Sequence, residues 1–170
     1  MRLYQVLLSI GSAFSFNLCY APNGFASNDS ALFGIPDDVK NELFLVQSAI
    51  ERFVGSRVYW DDSHELCQKA LYGAYIPSYD SMYICVSNHQ GDYEELLGTI
   101  KHEGWHAVQN KCNSNRAALL DDQIRQHLKP RDKKTLHSYH PNQHRAEAEA
   151  RVVEQLPTSN WIKGVSVYCQ

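Results

Sequence analysis

The stretch "TIKHEGWHAVQ", residues 99 to 109, places His102 and His106 four residues apart, with Glu103 directly after the first imidazole. On a helix, residues four apart are offset by about 40° around the axis and one turn along it. The two rings then point the same way, and one ring nitrogen from each can reach a single ion. Glu103 falls at the edge of that face, where its carboxylate can take a proton from an attacking water without ligating the metal. This is the physical content of the H-E-x-x-H spacing: two imidazoles on zinc and a general base beside them. The same residues could instead form a solvated helix face that carries two histidines by accident. Trp105 and Ala107 argue against that, because they suit a packed helix.

A catalytic zinc site usually has three protein ligands and one open position, so a third ligand must come from elsewhere in the chain. The metzincin extension is absent, since Gln109 and Cys112 stand where it needs Gly and His. The later stretch "HRAEAEARVVE", 144 to 154, offers carboxylates instead. Glu147 and Glu149 would lie about 200° apart on a helix, so only one can face the metal. Periodicity favours Glu149, which shares a face with Ala146, Ala150 and Val153.

Together, "HEGWH" and "EAEAR" resemble the zincin metallopeptidases whose third ligand is a glutamate on a later helix, the gluzincin-type pattern. The resemblance covers these two motifs and not the rest of the chain. It favours Glu147, because the ligand Glu of several such families is followed four residues later by Asp or Asn, often with Ala just before it. Arg151 occupies that place here, a departure at the position that normally buttresses a zinc-bound histidine. The resemblance implies one Zn2+ ion held by His102, His106 and Glu147, with Glu103 as general base. It also implies hydrolysis of peptide bonds in a peptide or protein substrate. Tyr139, His140 and His144 lie just upstream of the third-ligand helix and are candidates to donate to the oxyanion. His64, His89, His127 and His137 have no partner spacing and receive no role.

The elements that must position these residues are legible in part. "IPDDVKNELFLVQSAIERFVG" (35 to 55) reads as a helix, with Val39, Leu43, Val46, Ile50 and Phe53 at steps of three and four and Gly55 as its stop. "SRVYW" is a short β-rich run and "HELCQKAL" a helical turn or two. "YGAYIPSY" and "SMYICVS" read as strands around a turn at 78 to 81, and Pro77 makes the first an edge strand or irregular. Asp92 can cap a helix running from Tyr93 to about Asn110. Further helices are expected in "NRAALLDDQIRQHL" and in "NQHRAEAEARVVEQL", which Pro157 ends. A polar connection, 129 to 143, joins them, and the tail "NWIKGVSVYC" is expected as a strand or extended chain. The predicted fold is α+β and zincin-like: an active-site helix and a later ligand-bearing helix on a small, mostly antiparallel sheet.

The 170 residues suit one domain, and 44% apolar with 21% charged residues is a globular composition. A formal net charge of −3 and the lack of a long basic tract exclude nucleic acid as a partner. "MRLYQVLLSIGSAFSF" resembles a secretory signal peptide, too short and interrupted for a membrane span. Gly24 and Ala26 place its cleavage after Ala26, leaving residues 27 to 170 as a single exported domain with no stable membrane anchor. Of the five cysteines, Cys19 leaves with the leader. The remaining four suggest two disulfides in an oxidising compartment. Three pairings are possible, and Cys67–Cys85 with Cys112–Cys169 is the one expected here, because the first ties a helix to a nearby strand. Two other readings stay open: a zinc-stabilised exported binding module without catalysis, and a disulfide-stabilised module without metal.

Overall fold

The apolar steps from Val39 to Ile50 build helix α1, Asp37–Ala49, in a computed structural model that describes residues 29–112 and 118–170. The expected leader and its cleavage site lie outside those residues. The last turn of α1 widens into a π-turn, Ile50–Val54, and stops at Gly55, whose φ of 74° favours glycine. Strand β1 (Arg57–Trp60) follows, then the single turn α2 (Glu65–Gln68). Next come β2 (Gly73–Ile76) and, after a turn opened by Pro77, β3 (Ser81–Ile84).

The sheet has the order β1-β3-β2 and is mixed. Strand β2 pairs antiparallel with β3, as a tight turn between them requires, but β1 pairs parallel with β3. This corrects the expectation of a mostly antiparallel sheet. The connection from β1 through α2 and β2 is long enough to return the chain beside β1 in the same direction, which a parallel pair needs. As Pro77 indicated, β2 is an edge strand.

Helix α3, Tyr93–Lys111, is capped by Asp92, whose side chain accepts from the Glu95 N–H at 3.0 Å. Helix α4 (Asp121–His127) is shorter than the pattern suggested. The expected polar connection carries a helix of its own, α5 (Pro130–Thr135), because Pro at a first helical position costs no hydrogen bond. Helix α6 spans His144–Val153. The tail is a helix, α7 (Thr158–Tyr168), where an extended segment was expected. Its β-branched residues resembled a strand, but Trp161 and Val165, four apart, bury one helical face in the core. Among the described residues no helix is long and apolar enough to cross a membrane.

Helix α3 runs through the middle of the molecule. Leu96, Ile100, Trp105 and Val108 are fully buried, alongside Leu43 and Ile50 of α1, Met82 and Ile84 of β3, and Trp161 and Val165 of α7. Two disulfides hold its surroundings. Cys67–Cys85 ties α2 to the residue after β3, and Cys112–Cys169 ties the end of α3 to the end of α7. Both are the expected pairs.

Gly104, inside the HEGWH motif, is the point of closest approach. A Cβ there would lie 2.8 Å from Ile50 Cδ1 and 3.0 Å from the Trp161 ring. Alanine in a helix interior is ordinarily about 1 kcal/mol better than glycine, but overpacking a filled core costs about 1–3 kcal/mol. The rigid indole cannot yield as an aliphatic tip can, so Gly104→Ala is expected to destabilise by about 1 kcal/mol net and lower the melting temperature by a few degrees. Calorimetry reads this directly, and a rise in melting temperature would contradict the close contact.

Candidate metal centre

Two hydrogen bonds clamp α3 against α6, one near each end of α6. Lys101 Nζ donates to the Leu156 carbonyl at 2.9 Å, and Gln109 Nε2 to the Ala146 carbonyl at 3.1 Å. Between the clamps, His102 and His106 face Glu147. The two Nε2 atoms are 3.1 Å apart; His102 Nε2 lies 3.3 Å from Glu147 Oε2, and His106 Nε2 lies 3.3 Å from Glu147 Oε1. Among the described residues these three side chains form a group that could hold a metal ion. A tetrahedral ion with bonds of about 2.0–2.2 Å needs ligand atoms about 3.3–3.5 Å apart, so the spacing fits.

The hydrogen-bond network fixes which nitrogens carry protons. His102 Nδ1 is 2.7 Å from Glu154 Oε2, and His106 Nδ1 is 2.9 Å from Gln109 Oε1. Both partners accept, so both Nδ1 atoms are the donors. In the neutral rings both Nε2 lone pairs then point into the same small space, together with a carboxylate. With both rings neutral, Glu147 Oε2 is buried without a hydrogen-bond donor, although His102 Nε2 lies 3.3 Å away. A buried acceptor left in this way is costly, and a cation between the three atoms removes the cost.

The titration behaviour has the same origin. Burial works to lower the His102 pKa, but contact with Glu147 and Glu154 outweighs it and carries the value up to about 9. Burial works to raise Glu147, and the imidazoles of His102 and His106 outweigh it, holding the carboxyl near 2. In the absence of metal, a proton on His102 supplies the positive charge.

Glu103 stays out of this triangle. Its Oε2 accepts from the Tyr75 N–H of β2 at 2.8 Å, while its charge still acts on His102. Gly73 allows this approach, because a Cβ there would sit 3.3 Å from Glu103 Cγ and 2.9 Å from Thr99 Cγ2. In an antiparallel pair the N–H groups alternate between partner strand and open edge. The Tyr75 bond to Glu103 therefore shows that Gly73 and Tyr75 face the open edge of β2, beside the site.

Of the three oxyanion candidates, Tyr139 is the one that feels the charges of Glu147 and Glu103. Burial, then the charge of Glu147, pushes its hydroxyl pKa up, opposed by a hydrogen bond from Arg151. His140 is exposed, with Nδ1 2.6 Å from Asn142 Oδ1. His144 Nε2 lies 3.0 Å from the Tyr139 carbonyl, so it supports the backbone of Tyr139. His89, given no role by spacing, is buried between the Cys85 carbonyl and the Thr99 hydroxyl, 2.9 Å from each, and pins the start of α3 to the segment after β3.

Glu147, not Glu149, meets the histidines. Glu149 is nevertheless fully buried, accepting from the Leu119 N–H and Gln109 Nε2, and burial pushes its pKa up. Periodicity placed Glu149 inward correctly but could not say against what. Glu154 is the residue that sequence reasoning missed. It supports His102 Nδ1 at 2.7 Å, where the resemblance leads one to expect an Asp or Asn at position 151, and Arg151 NH1 lies 3.5 Å from Glu154 Oε1. The signal was present: Glu154 follows Glu147 by seven residues, two turns on one helical face. Compared with known proteins, the chain matches no family model, no curated protein and no solved structure.

The linkage between charge and stability gives a test. His102 rises from an ordinary 6.5 to about 9, so its contribution is complete below pH 6.5 and is lost as pH climbs through 9. Glu147 falls from 4.5 to about 2, so its contribution is complete above pH 4.5 and is lost as pH falls through 2. A bound metal needs His102 unprotonated and releases that proton. The melting-temperature gap between zinc-loaded and chelator-stripped protein is therefore expected to widen from pH 6.5 to 9. A gap that stays flat over this range would show that the ion does not take the proton's place.

Proposed function

We propose that the protein is a zinc-dependent peptidase of the zincin type, exported and disulfide-stabilised, acting on peptide bonds in peptide or protein substrates. The observation that carries this reading is the approach of His102 Nε2, His106 Nε2 and Glu147 to tetrahedral spacing, with Glu103 one residue along the same helix. His102, His106 and Glu147 would hold one Zn2+. Bound there, zinc supplies Lewis acidity, which polarises a carbonyl and makes water acidic enough to lose a proton near neutral pH.

The chain's own residues do the rest. Glu103 takes a proton from the attacking water and passes it to the leaving amine nitrogen. The Tyr75 N–H occupies one side of one Glu103 oxygen and leaves acceptor positions for that proton. An extended substrate lies along the open edge of β2, where the backbone groups of Gly73 and the carbonyl of Tyr75, whose N–H is held by Glu103, hydrogen-bond it. Tyr139 donates its hydroxyl proton towards the oxyanion. Arg151 only donates, so its bond to Tyr139 uses a lone pair of the phenol and orients the O–H. His106 is the most open of the three ligands, its side chain 19% exposed against 7% and 11% for His102 and Glu147, so substrate enters from its side.

Glu103→Gln keeps an oxygen for the Tyr75 N–H and removes the proton acceptor. Zinc content by elemental analysis is expected to be unchanged, while cleavage of a diverse peptide library, followed by mass spectrometry, falls about 10²–10⁴-fold. Full activity in this variant would sink the mechanism. The bond already made between Glu103 and Tyr75 is the observation that favours a second reading, a zinc-stabilised binding module without turnover. Wild-type cleavage that chelator abolishes and zinc restores decides between them.

A further inference from the structure

Burying a carboxylate completely is costly unless its oxygens are hydrogen-bonded. Glu149 meets that condition with two donors on opposite sides, the Leu119 N–H on Oε1 and Gln109 Nε2 on Oε2 at 2.7 Å. Gln109 gives its other amide hydrogen to the Ala146 carbonyl at 3.1 Å. A carboxylate and a carbonyl accept only, so the nitrogen end of Gln109 belongs between them and its oxygen end must face His106 Nδ1, 2.9 Å away. That oxygen holds the single proton of neutral His106 on Nδ1 and leaves the Nε2 lone pair directed at His102 and Glu147.

We propose that Glu149 is a positioning residue that selects the metal-binding tautomer of His106 through the amide of Gln109; the proposal rests on the metal site described above. Were the amide reversed, its NH2 would face Nδ1 and the ring proton would move to Nε2. The nitrogen aimed at the metal would then carry a hydrogen where it needs a lone pair. Glu149 never touches the metal or the substrate. Its effect travels along two hydrogen bonds, from carboxylate to amide to imidazole. The same carboxylate anchors the backbone leading into α4, so that segment and the ligand His106 share one support.

Glu149→Gln preserves shape but turns one acceptor oxygen into a donor, so it cannot satisfy Gln109 and Leu119 together. Gln109→Met removes the amide and leaves the bond between Glu149 and Leu119 intact, which separates the relay from the anchoring of Leu119. The experiment uses the full chain with 15N-labelled histidine, metal-free, and reads ring tautomers by NMR; zinc affinity is measured by competition with a chelator. Wild-type His106 is expected to carry its proton on Nδ1. In both variants the proton redistributes towards Nε2 and zinc affinity falls about 10–100-fold. Should Glu149→Gln fail to fold, Gln109→Met carries the same test. The proposal is overturned if a folded variant keeps the Nδ1–H tautomer and binds zinc within twofold of wild type. If wild type binds no zinc while the tautomer still responds to both substitutions, the metal reading fails and the relay stands.

Discussion

Two imidazole nitrogens and a carboxylate, all with lone pairs facing inward, meet within 3.3 Å of one another in a nearly closed interior. Such an arrangement needs a positive charge at its centre. A proton on His102 provides one, and its raised pKa measures how strongly the surroundings demand it. A divalent ion provides more charge with directed bonds to all three atoms. The rest of the structure is organised to keep these groups close. Lys101 and Gln109 bind carbonyls near opposite ends of α6, which sets the register at which Glu147 stands opposite the two histidines.

Around that triangle lies a ring of groups that do not touch the centre but decide how it behaves. His102 sits between two carboxylates, Glu147 on one nitrogen and Glu154 on the other. His106 is supported by a neutral amide instead, and the carboxylate that orients this amide is one bond further out. The two imidazoles therefore differ in surroundings, and His102 is the more deeply buried. Arg151 offsets part of the negative charge at Glu154 while it holds the Tyr139 hydroxyl. The residue that looked like a defect in the expected pattern connects the support of one ligand to the candidate oxyanion donor.

The scaffold keeps this cluster rigid by staples as well as by packing. One disulfide closes just beyond Gln109, joining the end of α3 to the end of α7. Helix α7 in turn lays Trp161 against Gly104, between the two histidines in the chain. The buried His89 fixes the opposite end of α3 to the segment after β3, which the other disulfide ties to α2. A domain of this size has a limited core, and the Cys112–Cys169 staple falls at the end of the helix that carries both histidines. Two disulfides also suit an oxidising compartment.

Local geometry made part of this legible in the residues alone. The shared direction of His102 and His106, the lateral offset of Glu103 and the Asp92 cap depend only on helical pitch, which no distant contact alters. The even cysteine count pointed to two disulfides and left three pairings; the one expected, from a tie between a helix and a strand, is the one formed. Periodicity could show that α6 turned Glu149 inward, but α6 is covered on more than one side, so inward did not mean towards the two histidines. The choice of Glu147, the buttress from Glu154, the parallel pairing of β1 with β3 and the helical tail all depend on what lies across a packed interface. Those partners are tens of residues away in the chain. Spacing reports direction around one element's own axis, whereas ligation depends on the register between two elements, and only tertiary packing sets that register.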